Sequence, residues 1–301
     1  MADKVWRSAA LIGFILVFWP TMHWLWQRWT ISIWYNGHGM FVPLVVAYLS
    51  YLYLRDDRSC EEESSPLGFA FLIPGLLMVV VDSSIKTQLL SALGLVLALI
   101  GLTLLLLGAR RSSALGFPLA LLFFMLPIPT AFIDRLVLIL RRISATGCEH
   151  VANLTGLPVM RDLTTLHLPN AALEIADACS GFSTLYASVT MALILAYLAH
   201  STARRIAILI AAVPIAIGCN ILRCTILAYL VNYQGAEVLA TPLHPMTGIV
   251  SFSLALSILF LLSSFGAAKR GASDSAIATV PAAHLDRAAA DADSGGGPLV
   301  R

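Results

Sequence analysis

Apolar runs close to twenty residues long recur along almost the entire chain, each near the length that carries a helix through a hydrocarbon core about 30 Å thick. Of the 301 residues, 58% are hydrophobic and only 12% charged, against about 25% charged in an ordinary soluble domain. That leaves too little polar surface to cover a globule in water, so the solvent this sequence requires is lipid. The runs predict an all-α polytopic membrane protein with about eight transmembrane helices, at residues 8–24, 40–54, 67–81, 88–108, 113–130, 179–199, 205–232 and 247–267. The run from Leu11 to Trp19 leads into Trp24, Trp26 and Trp29, an aromatic belt rather than a small-residue cleavage site. It reads as an anchor that stays.

The few charges mark topology. Lys4 with Arg7, Arg55 with Arg58, Arg110 with Arg111, Arg204 with Arg205, and Lys269 with Arg270 all fall on one side of the predicted bundle, as cytoplasmic segments do under the positive-inside rule, which puts both termini inside. Arg135, Arg141, Arg142 and Arg161 fall outside, in a segment long enough to translocate regardless of charge. A net charge of +2 without a basic block gives no reason to expect nucleic acid as a partner. Cys60, Cys148, Cys179, Cys219 and Cys224 show no CxxC spacing and no zinc-type pairing with histidines, so neither a disulfide framework nor a metal site is expected.

The external segment, about residues 131–178, carries most of the mass outside the membrane. Ile133, Leu136, Val137, Leu140 and Ile143 recur at helical spacing opposite Arg135, Arg141 and Arg142, which predicts an amphipathic helix in the interface. A hairpin is expected next, from strands at Val159–Leu168 and Leu173–Ala176 around a Pro169-Asn170 turn. Residues 1–270 are thus one transmembrane domain, and the Ala-, Gly-, Ser- and Asp-rich stretch 271–301 is expected to be a disordered cytoplasmic tail.

Three polar residues sit where a pure anchor would not carry them, all toward the outer side: Cys179, Arg223 and His244. An arginine near the middle of a membrane helix costs about 2.5–3.5 kcal/mol on insertion scales, so Arg223 is expected to face protein or a hydrated cavity. Asn220, on the same helical face, is expected to hold its guanidinium; pairing with Glu174 or Asp177 in a purely structural role is the alternative. Cys179 opens a helix in Ala178-Cys179-Ser180-Gly181, where free amides and the helix dipole favour a thiolate. Against this, Asp177 would raise its pKa, a cysteine in an apolar chain also serves as a small packing residue, and a Cys148–Cys179 disulfide would remove the thiolate altogether. His244, in Pro242-Leu243-His244-Pro245, has a loop-like setting where an imidazole titrates near neutrality. Cys219 and Cys224 read as packing residues.

At these residues the chain resembles the exosortase and archaeosortase family. The resemblance rests on Ala178-Cys179-Ser180-Gly181, Asn220-Ile221-Leu222-Arg223, His244 before a final hydrophobic helix, the early His38-Gly39-Met40-Phe41-Val42-Pro43 run and Met125-Leu126-Pro127-Ile128-Pro129, in order over roughly residues 35–265. Ser183 departs from it, since many relatives carry arginine there. The resemblance implies a cysteine peptidase or transpeptidase of a bacterial inner membrane, with Cys179, Arg223 and His244 as the catalytic set, no cofactor, and a site facing the periplasm. It also implies the partners: exported proteins ending in a short motif such as Pro-Glu-Pro, a transmembrane helix and a basic cluster. On that reading Cys179 attacks a peptide carbonyl to give a thioester, His244 moves protons and Arg223 stabilises the oxyanion or thiolate. Asn220, Ser180 and Glu174 are the expected supporting residues. A transporter, for which an intramembrane arginine would mark a substrate pathway, and a structural component of an export system are the alternatives from other classes.

Overall fold

The computed structural model describes residues 2–31, 37–56, 64–176, 179–199 and 201–264, and helices make up most of that length. Arg58, Cys60, Asp177, His200, Lys269, Arg270 and the tail from Gly271 lie outside the described residues. The helices are α1 (Ala2–Ile31), α2 (Val42–Asp56), α3 (Phe69–Ile85), α4 (Leu89–Ala114), α5 (Gly116–Leu121), α6 (Thr130–Leu154), α7 (Phe182–Leu198), α8 (Thr202–Gln234) and α9 (Leu243–Ser264). Among the described residues, six helical segments are long and apolar enough to cross a membrane: Ser8–Thr30, Gly37–Arg55, Pro66–Ile85, Leu89–Ala114, Thr202–Gln234 and Leu243–Ser264. The chain is a multi-pass membrane protein.

Two of the eight expected crossings are shorter apolar helices, Gly116–Met125 and Phe182–Leu198. The first, α5 continued by a 3-10 turn over Leu122–Met125, spans only about 15 Å at 1.5 Å per residue. It stops where Leu126 is extended at φ −75°, ψ 136°, the conformation that a following proline imposes, and Pro127 cannot donate to a helical ladder.

Helices α3 and α4 pack closely because small residues face one another. A Cβ on Gly94 would lie 2.5 Å from the Gly75 carbonyl oxygen, and one on Gly101 would lie 2.6 Å from that of Gly68. In lipid, where burial of apolar surface does not drive helices together, such backbone approach is a main source of association. The turn joining the two helices is organised by buried Asp82. Its carboxylate accepts hydrogen bonds from the backbone amides of Thr87, Gln88 and Ser91 and from the hydroxyls of Thr87 and Ser91.

The two ends of the bundle differ in character. The Tyr197 hydroxyl donates to that of Tyr53 at 2.6 Å, and Phe117 stacks on Tyr197 with centroids 3.9 Å apart. These contacts gather the end of α2 with Arg55, the α4–α5 turn near Arg110 and Arg111, and the α7–α8 turn near Arg204 and Arg205. At the opposite end Trp29 Nε1 donates to the Met125 carbonyl at 3.1 Å, and there the module of α6 and the strands begins.

In that module α6 buries Ile133, Val137, Leu140, Ser144, Cys148 and Ala152 along one seam. Leu136 and Ile143, expected on that seam, are exposed instead, because the helix turns about 100° per residue and its buried face is set by α8 and the sheet. The expected hairpin is a three-stranded antiparallel meander, β1 (Met160–Asp162), β2 (Thr165–His167) and β3 (Ala172–Glu174). The predicted strand Val159–Leu168 folds back on itself: Asp162 pairs with Thr165, and Leu163 takes φ 52° in the turn between them. A leucine in that region carries a steric penalty, so the residue type gave no turn signal. The expected turn at Pro169-Asn170 is present, closed by the Leu168 amide on the Ala171 carbonyl at 2.8 Å. Asn170 Nδ2 then donates to the Asn232 carbonyl at 3.0 Å, fixing the meander to the end of α8.

Close α3–α4 packing predicts that Gly94→Val lowers stability by about 1–3 kcal/mol through overpacking. Gly218→Ala, where an added Cβ meets nothing within 4 Å, is expected to be neutral or stabilising. Thermal unfolding in detergent followed by size-exclusion chromatography separates the two.

Candidate active site

Cys179 sits in the short connection between β3 and α7. Its amide donates to the Ala176 carbonyl at 2.9 Å, and Gly181 caps α7 at φ 82°, a left-handed conformation that suits glycine. Ser180 is buried, and its Oγ accepts from the Phe182 amide at 3.3 Å. The thiol therefore precedes the helix rather than opening it, and its own amide is already engaged.

Asn220 of α8 holds this connection in place. Only 1% exposed, its Nδ2 donates to the Cys179 carbonyl at 3.0 Å and to Ser144 Oγ of α6 at 2.8 Å. Cys224, one turn along, places Sγ 3.7 Å from the same carbonyl. A Cβ on Gly181 would lie 2.5 Å from Asn220 Cγ, so glycine is required there for space as well as for conformation. Asn220 does not hold the guanidinium of Arg223 as expected. Its amide nitrogen is turned to Cys179 and Ser144, and its Oδ1 has no hydrogen-bond partner among the described residues.

The three chain-distant candidates meet. Cys179, 5% exposed, has its Sγ 3.8 Å from His244 Nε2. His244 is the second residue of α9, half-buried in a helix rather than in a loop. Arg223, 3% exposed, directs Nε at Thr247 Oγ1 at 3.4 Å, and that hydroxyl donates to the His244 carbonyl at 2.7 Å. Thr247, one turn past His244, thus links the guanidinium to the helix that presents the imidazole. Burial pushes the Cys179 thiol up, and the nearby Arg223 charge pulls it down. A thiol, an imidazole 3.8 Å from it and a buried guanidinium nearby have the chemistry that a nucleophile, a proton acceptor and an anion stabiliser require.

Other candidates take different places. Glu174 is 68% exposed on the solvent side, and its Oε1 pairs with Arg141 at 3.0 Å. Arg141 also donates to the Ile175 carbonyl and to Thr164 Oγ1, so Glu174 docks the meander onto α6 and is not the partner of Arg223. Cys148, Cys179, Cys219 and Cys224 are all free and buried, which leaves no Cys148–Cys179 disulfide. Burial pushes the Cys148 thiol up to about 11. Ser144 and Thr247 escaped sequence reasoning, and Gly181 entered it only as part of the Ala178-Cys179-Ser180-Gly181 run. Only Thr247 had a signal, its position one helical turn from His244. Ser183 lines a cavity that also reaches Arg223 and His38.

Two expectations follow. Gly181→Ala is expected to cost at least about 1 kcal/mol from the left-handed backbone alone, and to disturb the Asn220 contact, read as a lower unfolding temperature in detergent. Arg223→Gln removes the charge that opposes burial, so the pH midpoint for iodoacetamide alkylation of Cys179, followed by peptide mass spectrometry, should rise. An unchanged midpoint would show that Arg223 does not act on the thiol.

The family model described as transmembrane exosortase (Exosortase_EpsH) matches residues 26–261, a span that contains every residue of this cluster. No curated protein and no solved structure gives a significant match. With the match running from the end of α1 to the last turns of α9, the chain belongs to the transmembrane exosortase family, a family of membrane enzymes.

Proposed function

We propose that this protein is a cysteine peptidase or transpeptidase that removes a C-terminal sorting signal from exported proteins. The observation that carries the reading is the 3.8 Å approach of Cys179 Sγ to His244 Nε2 beside buried Arg223. His244 takes the thiol proton as Sγ attacks the carbonyl carbon of a peptide bond near the sorting motif. The tetrahedral intermediate places negative charge on the carbonyl oxygen, which the Arg223 guanidinium offsets in a low-dielectric setting. Collapse breaks the C–N bond, the leaving amine takes the proton from His244, and the acyl group remains on Sγ as a thioester. Water or an amine acceptor then attacks the thioester and restores the thiol.

The partners on this reading are exported proteins that carry a Pro-Glu-Pro type motif followed by a hydrophobic helix and basic residues, held in the same bilayer. The protein resides in a bacterial inner membrane with both termini cytoplasmic and the site facing the periplasm. Support comes from the placement of Arg55, Arg110, Arg111, Arg204 and Arg205 at the end of the bundle away from Cys179, since cytoplasmic segments are enriched in lysine and arginine.

The test is co-expression of a tagged Pro-Glu-Pro-tailed substrate with wild-type protein, Cys179→Ser or His244→Ala, with membrane abundance of each measured in parallel. At equal abundance Cys179→Ser should leave the substrate uncleaved, and His244→Ala should slow cleavage by roughly 10²–10⁴-fold. Undiminished cleavage by Cys179→Ser would remove it as nucleophile. If all variants instead lose abundance in parallel, these residues serve helix packing rather than chemistry.

A further inference from the structure

Helix α6 carries two apolar stripes. Ile133, Val137 and Leu140 are buried in a cluster with Phe182, and Tyr186 and Ile217 pack against it. Phe132, Leu136, Ile139 and Ile143 recur at steps of four, three and four residues, the spacing of one helix face, and all four are exposed, Phe132 to 77% and Ile139 to 53%. At about 100° per residue this second stripe lies beside the buried one and roughly opposite Arg141, whose guanidinium docks the meander through Glu174 and Thr164. The exposed stripe thus faces away from the meander.

The height of that stripe follows from what α6 touches on α8. The buried stripe beside it packs at Ile217, about 18 Å along α8 from Arg205 at 1.5 Å per residue. Just past the far end of α6 the Tyr229 hydroxyl donates to the Thr155 carbonyl at 3.0 Å, about 36 Å from Arg205 by the same rise, and the meander is fixed further along still, at Asn232. Arg205 lies at the basic end of the bundle, and a hydrocarbon core is about 30 Å thick. On this scale α6 starts below the far boundary of the core and ends above it. The meander is on its water side, and the exposed stripe is turned back toward the membrane.

Two exposed arginines, Arg135 and Arg142, border the stripe on the edge away from the bundle, two turns and so about 10 Å apart. Neither pairs with a carboxylate among the described residues. We propose that this face of α6 is a docking surface for anionic phospholipid, with Phe132, Leu136, Ile139 and Ile143 among the acyl chains and Arg135 and Arg142 on the headgroup phosphates. The order of groups across the face, apolar side chains toward the membrane centre and guanidiniums at the boundary, is the order that a phospholipid presents. A second copy of the chain meeting this face by two-fold symmetry would instead set the same arginines against one another. Because Ser144 of α6 accepts from Asn220, which also holds the Cys179 carbonyl, the depth at which the headgroup layer holds α6 sets the depth of the thiol.

The test uses the full-length protein in nanodiscs made of equal parts phosphatidylglycerol and phosphatidylcholine. A benzophenone amino acid at position 139, irradiated and analysed by mass spectrometry, should form phospholipid adducts in which phosphatidylglycerol is over-represented. The same probe in place of Asp134, exposed on the side of α6 that carries Arg141, should form none. Arg135→Gln and Arg142→Gln should each lower the phosphatidylglycerol-to-phosphatidylcholine ratio of the adducts by roughly fivefold, the worth of one arginine near an anionic surface, while abundance and elution volume stay as in wild type. No lipid adduct at position 139, adducts there to a second copy of the chain or to another protein, or equal lipid adducts at positions 134 and 139 would overturn the docking surface. A ratio that neither substitution changes would overturn the preference for anionic phospholipid.

Discussion

The geometry of the cluster depends on one buried amide. Asn220 Nδ2 joins α8 to the Cys179 carbonyl and to Ser144 of α6, so a single group ties the module outside the bundle to the connection that carries the thiol. Away from water such bonds are strong, and they are correspondingly expensive to leave unmade. They also fix rotation. With the carbonyl of Cys179 held by α8 and Gly181 turning the chain into α7 at φ 82°, Sγ is left facing the first turn of α9, where His244 stands.

Around that amide the electrostatics are opposed rather than uniformly favourable. Burial works against the Cys179 thiolate and Arg223 works for it, while the guanidinium is itself nearly free of solvent. An arginine so placed is costly in a membrane protein unless its donors are engaged, and the Thr247 hydroxyl helps to engage them from the helix that carries His244. The positive charge is thus built into the α8–α9 contact. On the proposed reading this suits a reaction whose intermediate is more negative than its reactants, because the charge is in place before the oxyanion forms.

Lipid as solvent explains where irregular backbone is found. The long helices satisfy their own hydrogen bonds, and α3 and α4 approach through paired glycines, whereas irregular backbone is found in the 3-10 turn at Leu122–Met125 and in the connection that carries Cys179. Non-helical backbone at membrane depth is tolerated where protein or a hydrated cavity surrounds it. At the 3-10 turn Trp29 and Tyr186 donate to the carbonyls of Met125 and Leu126, which the end of that element leaves exposed.

By itself the sequence determined the class of fold, because apolar run length reports directly on transfer into hydrocarbon, a property that needs no partner. It also singled out Arg223 by its cost in a membrane helix, whereas Cys179 and His244 gained weight from the family resemblance of the residues around them. The tertiary structure alone decided partners. Asn220 and Arg223 share a face of α8, yet the rotation of α8 against α6 and the Cys179 connection gives Asn220 to the carbonyl of Cys179 and leaves Arg223 to Thr247. Glu174 belongs to Arg141 because the meander docks on α6 through β1 and β2. Leu163 turns the chain because the pairing of β1 with β2 outweighs the cost of its backbone angle. In each case periodicity along one element states what must be buried. What a buried group touches depends on the relative rotation and height of two elements, and that is set only when they pack.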